Sequence, residues 1–266
     1  MSTATPTHRV ETIDTARPGV PLSRIVKVEL RKMFDTRSGF WLMASIGIIA
    51  ALATLSVILF VPDEGITYAS FGAAVGFPMA VLLPIMAILA VTGEWSQRTG
   101  LITFTLVPHR GQVLVGKVIA AVSVGVVSML LAFAIGAVGN VVGSALNGVD
   151  ATWDMTFAVF LQIILANILG LLIGFMLGVL IRSTPGAIVA YFVYSLVLPS
   201  IFGLLAAFQD WFEDVRLWID FNFAQTPLFE GDMTGEQWAQ LGVSGMIWLV
   251  IPLAIGVWAV LRSEVK

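Results

Sequence analysis

The chain has 266 residues, 58% apolar and 12% charged, with a mean hydropathy of +0.94. That balance excludes an ordinary water-soluble domain. The net charge of −3 is small, and the absence of cysteine excludes disulfides, thiolate metal sites and a lipid-bearing cysteine.

Residues 1–21 are polar, rich in Thr, Ala, Pro and Gly, and lack the apolar core of a cleavable signal peptide. They are expected to form a flexible cytoplasmic segment. Residues 22–39 predict a helix lying along the membrane surface. Leu22, Ile25, Val26, Leu30, Met33 and Phe34 recur at helical spacing on one side, with Arg24, Lys27, Arg31 and Asp35 on the other. Ser23 is a candidate N-cap, and Ser38-Gly39 a turn into the first span. Glu29 falls by angle within the apolar stripe. Either its carboxylate snorkels to the surface, or it pairs with a basic residue of the loop after span 2, since a buried unpaired charge is costly.

Residues 40–266 read as a domain of six transmembrane helices, at about 40–61, 69–92, 113–142, 156–181, 186–208 and 241–261. Span 2 carries Pro78 and Pro84, which bend or loosen a helix, and Gly72 and Gly76 on one face. Span 4 carries Gly170, Gly174 and Gly178, a row that admits close approach of another helix, with packing inside one bundle favoured over a dimer seam. Span 5 follows the tight turn Arg182-Ser183-Thr184-Pro185 and is broken near its outer end by Pro199. The segment from Phe208 to Gln240 alternates aromatics (Trp211, Phe212, Trp218, Phe221, Phe223) with acids (Asp210, Glu213, Asp214, Asp220). It predicts short amphipathic helices half-sunk in the outer interface, or a re-entrant cap if protein covers its backbone. The amides Asn140, Gln162 and Asn167 fall inside spans as interhelical hydrogen-bonding groups. No Asp, Glu, Lys or Arg falls near the middle of any span, which predicts a non-ionic interior and argues against ion-coupled carriage.

The charges orient the spans. With both termini cytoplasmic, thirteen of the fourteen Lys and Arg residues lie inside, against six acids, leaving +7; outside, Arg216 against eleven acids leaves −10. That is the positive-inside pattern of a multi-pass protein of the cell (inner or plasma) membrane. The basic face suits anionic lipid heads or an acidic cytosolic partner; nucleic acid is not implied, because no soluble basic domain exists to carry it.

Catalytic motifs are missing. Gly111 to Lys117 has the spacing of a phosphate-binding loop, but Val118 stands where Ser or Thr would hold magnesium, and the stretch runs into a span. His8 and His109 are isolated, and neither a zinc-binding histidine pair nor a nucleophile elbow occurs. No enzyme activity, cofactor or metal site is therefore expected in this chain.

The loop after span 2 runs Gly93-Glu94-Trp95-Ser96-Gln97-Arg98-Thr99-Gly100-Leu101-Ile102-Thr103-Phe104-Thr105-Leu106-Val107-Pro108-His109-Arg110, then on to Gly116-Lys117. It resembles the coupling loop of ABC-2-type permeases, the membrane subunits of type V ABC exporters. Glu94, Thr99, Pro108, Arg110 and Lys117 match the family pattern, and Arg98 stands where glycine is usual. Val28-Glu29-Leu30-Arg31-Lys32 resembles the family's connecting helix, and with six spans and a long outer segment the similarity covers residues 22–266. The resemblance implies an all-α membrane fold with a cytoplasmic coupling helix, two permease copies (homodimer or heterodimer), and separate ATP-binding subunits that carry ATP and magnesium. It also implies that Glu29, Glu94, Arg98, Thr99, Leu101, Phe104, Pro108 and Arg110 couple the chain to its ATPase. By the same resemblance, the substrate path runs between two copies, along Phe77, Met79, Leu83 and Met86 of span 2 and Phe192, Leu198 and Phe202 of span 5. Met and aromatic faces suit loosely defined apolar cargo, so a hydrophobic or amphipathic substrate (a drug, a peptide or a lipid-like molecule) is expected to leave the cell by drug-efflux-like export. The alternative is that these residues only pack the bundle, and that the chain is an independent channel, ion-coupled carrier or assembly scaffold.

Overall fold

The computed structural model describes residues 20–35, 37–96, 110–231 and 233–262. The described chain is all-α with six helices long and apolar enough to cross a membrane: Gly39–Phe60, Tyr68–Trp95, Gly111–Asn147, Phe157–Ile181, Thr184–Phe208 and Gly235–Arg262.

Helix α1 (Leu22–Asp35) is amphipathic, and Ile25 and Glu29 are its buried residues. Its first turn is closed by the Pro21 carbonyl, which accepts from Arg24 and Ile25 N–H, so Ser23 lies inside the helix rather than capping it. Helix α2 (Arg37–Phe60) already includes Ser38 and Gly39, so the expected Ser38-Gly39 turn is helical instead. Helix α3 (Tyr68–Ser96) continues through both of its prolines. Helix α4 (Arg110–Asn147) has 38 residues and is therefore about 57 Å long, well beyond the hydrocarbon thickness. The sequence boundary at residue 113 falls inside it. Because the Gly111–Lys117 stretch is helical, it forms no phosphate-cradling loop.

Helix α5 (Phe157–Ile181) is the centre of the bundle. Thr156 caps its start by accepting from Val159 N–H, and Arg182 ends it with a φ of 57°, turning the chain within two residues into α6 (Thr184–Phe192). Among the described residues, the packing of α5 on α3 is the most extensive. Its cause is the glycine row. A Cβ on Gly174 would stand 2.4 Å from the Pro84 carbonyl oxygen, and one on Gly178 would press on Val91, so only hydrogen at these positions admits the α3 backbone. The row is thus internal packing of one chain. Pro84 leaves the Ala80 carbonyl without its helical donor, and the Tyr191 hydroxyl from α6 donates to that oxygen instead.

At the acidic end, the α2–α3 and α4–α5 loops are tied together. Tyr68 N–H donates to the Thr152 carbonyl at 3.0 Å, Asp154 accepts from Ala69 N–H at 2.8 Å, and Asn140 donates from α4 to the Thr152 carbonyl at 3.0 Å.

Span 5 is α6, one π turn (Val193–Val197) and α7 (Leu198–Phe208), a continuous helix that widens before Pro199 rather than breaking at its outer end. The chain then doubles back. Helix α8 (Asp210–Ile219) returns along α7, with Phe212 beside Phe202 at 5.5 Å and the Arg216 guanidinium beside Gly203. Short helix α9 (Phe221–Ala224) and a 3-10 turn (Thr226–Phe229) follow, and Phe221, Ala224 and Leu228 are buried. The chain climbs into α10 (Gly235–Gly245), started by a Thr234–Gln237 capping box, a second π turn (Met246–Val250) and α11 (Ile251–Arg262).

The depth of this hairpin follows from its contacts. Asn222 donates to the Tyr194 carbonyl, and Tyr194 lies about 15 Å along a span about 37 Å long. Of the two arrangements expected for this segment, half-sunk at the surface or re-entrant, the contact matches the second: the tip reaches the middle of span 5, with Phe221, Ala224 and Leu228 buried. It brings Arg216 and Asp220 with it, paired at 3.3 Å, with Asp220 fully buried. The expectation of a non-ionic interior is corrected: the six spans themselves lack a central charge, but the re-entrant hairpin supplies an ion pair.

Candidate functional site

Four charged side chains from three helices meet at the basic end of the bundle. Glu29 arrives because α1 lies along the start of α4, an approach that needs glycine at 116, where a Cβ would stand 2.6 Å from Ile25. Glu94 sits in the last turn of α3, and Lys117 two turns into α4.

Lys117 is the hub. Its Nζ donates to Glu29 Oε2 at 2.6 Å and to the Ala90 carbonyl at 3.1 Å, and stands 3.2 Å from Glu94 Oε1. Three ammonium protons thus face three acceptors. Lys32, one turn beyond Glu29, closes the ring with Glu29 Oε1 at 2.8 Å and Glu94 Oε1 at 3.2 Å. The Lys117 side chain is 2% exposed, those of Glu29 and Glu94 6% and 7%, and that of Lys32 44%. The cluster is formally neutral. Burial pulls the Lys32 ammonium down, but hydrogen bonds and charge from Glu29 and Glu94 outweigh it, so its pKa stands above the ordinary lysine value. Cations also belong near the α3 C-terminus, where the helix dipole is negative.

Chemically the arrangement is a lock. It joins α1, the end of α3 and the start of α4, so charged groups of the cluster sit on both helices that flank residues 97–109 in sequence. Thr92 adds a second tie, its hydroxyl 2.7 Å from that of Thr184 at the start of span 5. Among the described residues no group of His, Asp and Glu is placed to hold a metal ion.

Of the coupling residues expected from sequence, Glu29 and Glu94 are brought together here. Arg98, Thr99, Leu101, Phe104 and Pro108 lie outside the described residues, as does the side chain of Arg110, although its backbone opens α4. The pairing of Glu29 with a basic residue after span 2 is met by Lys117. By sequence Lys117 is an inside cation and a motif match at the opening of span 3, and Lys32 is only a cation of the connecting helix; the i,i+3 spacing of Glu29 and Lys32 was the available signal for their pairing.

The expected path residues divide. Phe77 is 78% exposed and Phe192 lies on the outer surface, with Leu198 half-buried. Phe202 packs between Phe212 and Trp248. Met79, Leu83 and Met86 are buried in the core with α4 and α5 side chains, which takes these three off any face open to a second copy. The resemblance placed Met79, Leu83 and Met86 on the path beside Phe77, and helical spacing does not say which side of an all-apolar helix faces inward.

No family model matches the chain, and no curated protein matches it in sequence.

Proposed function

We propose that this chain is the transmembrane permease subunit of an ATP-driven exporter of the ABC-2 type, working as a pair of copies with separate ATP-binding subunits. The observation that carries the reading is the Glu29–Lys117–Glu94–Lys32 cluster. Three motifs that resemble the family's docking elements are 62 and 88 residues apart in sequence, yet share hydrogen bonds. A push on residues 97–109 from a nucleotide-hydrolysing partner would reach α3 through Glu94, α4 through Lys117 and α1 through Glu29 as one body. The cargo is hydrophobic or amphipathic, consistent with the apolar, exposed surface of span 5 and with Phe77 and Phe192 on the outer face. Both termini are cytoplasmic in this reading, which places the cluster on the side where ATP is found.

The test is co-purification. The chain, tagged and co-expressed with an ATP-binding subunit encoded beside it, should retain that subunit in detergent, and reporter fusions at residue 266 and within residues 147–154 should report opposite sides of the membrane. Loss of the ATPase at every detergent tried, or fusions on the same side, would reject the reading. A self-contained membrane protein is the second reading, favoured by one observation: Lys117 hydrogen-bonds to Glu29 and the Ala90 carbonyl and is ion-paired with Glu94, all within the chain. Purification as a lone, cargo-binding species with no ATPase dependence would favour it.

A further inference from the structure

Spans 5 and 6 each change helical pitch once, at the same offset before a proline. Val193–Val197 is followed by Leu198-Pro199, and Met246–Val250 by Ile251-Pro252. In a regular α-helix each proline ring would strike the carbonyl four residues back. The widened turn removes that collision, and in both spans the residue before proline donates five residues back, Leu198 N–H to the Val193 carbonyl and Ile251 N–H to the Met246 carbonyl. In span 5 this strands the Tyr194 carbonyl. Its α-helical donor, Leu198, is bonded elsewhere, and its π-helical donor would be Pro199, which has no N–H.

The hairpin tip fills that vacancy. Asn222 Nδ2 donates to the Tyr194 carbonyl at 3.3 Å, while Trp248, inside the other π turn, donates its indole N–H to the Ile219 carbonyl at 2.7 Å. The Trp248 ring also meets that of Tyr194 at 5.8 Å. The tip is itself stiff. The Asp220 carboxylate accepts from the backbone N–H of Asn222 and Phe223, both at 3.1 Å, and from Arg216 Nε, whose guanidinium covers the Phe223 ring at 3.9 Å.

We propose that the π turn of span 5 is a hinge, and that the hairpin tip, residues 219–223, is the latch that holds it at wide pitch while braced through Trp248 on the matching turn of span 6. Release lets Leu198 N–H take the Tyr194 carbonyl in place of Asn222, giving a proline-kinked α-helix. One residue of register is a rotation of about 100° and a rise of ~1.5 Å, so side-chain tips on α7 move by roughly 5–8 Å relative to the bundle. The device needs no particular partner or cargo, and it stands apart from the transport reading.

The chain has no cysteine, so spin-label pairs can be introduced directly. In lipid nanodiscs, Leu204→Cys on α7 and Val138→Cys on α4, both exposed, measure the outer half of span 5. Val189→Cys with Val138→Cys measures the inner half and reports on the fold. The parent pair should give one dominant distance. Asn222→Ala and Trp248→Phe should each add a second population shifted by roughly 5–8 Å in the outer pair only. Pro199→Ala, which removes the reason for the wide turn and leaves the hairpin intact, should add the same population. Unchanged outer distances in Asn222→Ala and Trp248→Phe, with the inner pair intact, would overturn the latch, whether or not Pro199→Ala shifts them. A shift of both pairs together would overturn the hinge.

Discussion

Replacing Lys117 by Met tests the buried lock with little change in side-chain volume. The substitution removes three donor contacts and leaves Glu29 and Glu94, each less than a tenth exposed, facing one another with only the half-exposed Lys32 between them. Each lost attraction is about 4 kcal/mol for charges ~4 Å apart at an effective dielectric near 20, and the desolvation already spent on Lys117 offsets part of it. The net cost of breaking a buried pair from one side is about 3–5 kcal/mol. Glu29→Gln combined with Lys117→Met removes one charge of each sign, leaves Glu94 with Lys32, and should recover about 2 kcal/mol relative to the sum of the single changes. The assay is equilibrium unfolding in mixed micelles, followed by helical circular dichroism and by tryptophan fluorescence. If Lys117→Met is as stable as the parent, or if the two changes simply add, the side chains are not coupled as the distances indicate.

Tyr191→Phe orphans the Ala80 carbonyl beneath Pro84 and should cost about 1–3 kcal/mol, while adding Pro84→Ala, which restores the helical N–H, should recover most of it in the same unfolding assay. Gly174→Val drives a Cβ into the Pro84 backbone and should abolish the folded, monodisperse species on size-exclusion chromatography; Gly76→Val, at a site with open space, should not. Lys32 has a folded-state pKa above its unfolded value, so its contribution is complete below about pH 10 and is lost as pH rises through the folded value. Lys32→Met should therefore flatten the alkaline limb of a stability–pH profile and leave its shape at neutral pH unchanged.

Much of the fold was legible because hydrocarbon imposes length and composition. The six spans and the amphipathic stripe of α1 follow from apolar runs, and Glu29 announced itself as a charge on the wrong face. The boundaries of α4 were not legible, because the apolar run marks only the stretch that hydrocarbon can hold, while the helix begins earlier at Arg110 and runs on to Asn147. The hairpin was half legible. Its alternation of aromatics and acids excludes free hydrocarbon exposure, but its depth is fixed by Asn222 meeting Tyr194 and Ile219 meeting Trp248, contacts 28 and 29 residues apart that no local pattern encodes. The π turns escaped for a related reason: a proline in a span predicts distortion but does not choose between a kink and a widened turn. Met79, Leu83 and Met86 of α3 were placed on the path by the resemblance, and because that helix is apolar on every side nothing in its pattern showed that they face the core.

Under the proposed function, the buried cluster connects this chain to an ATP-hydrolysing partner. The most direct measurement is the ATP hydrolysis rate of the co-purified complex in proteoliposomes, with and without an amphipathic cargo, for the parent and for Glu94→Ala. The expected result is cargo-stimulated hydrolysis in the parent that is lost in Glu94→Ala, while that variant still inserts, folds and retains the ATPase. Equal stimulation in both, from equal amounts of intact complex, would contradict the role given to the cluster.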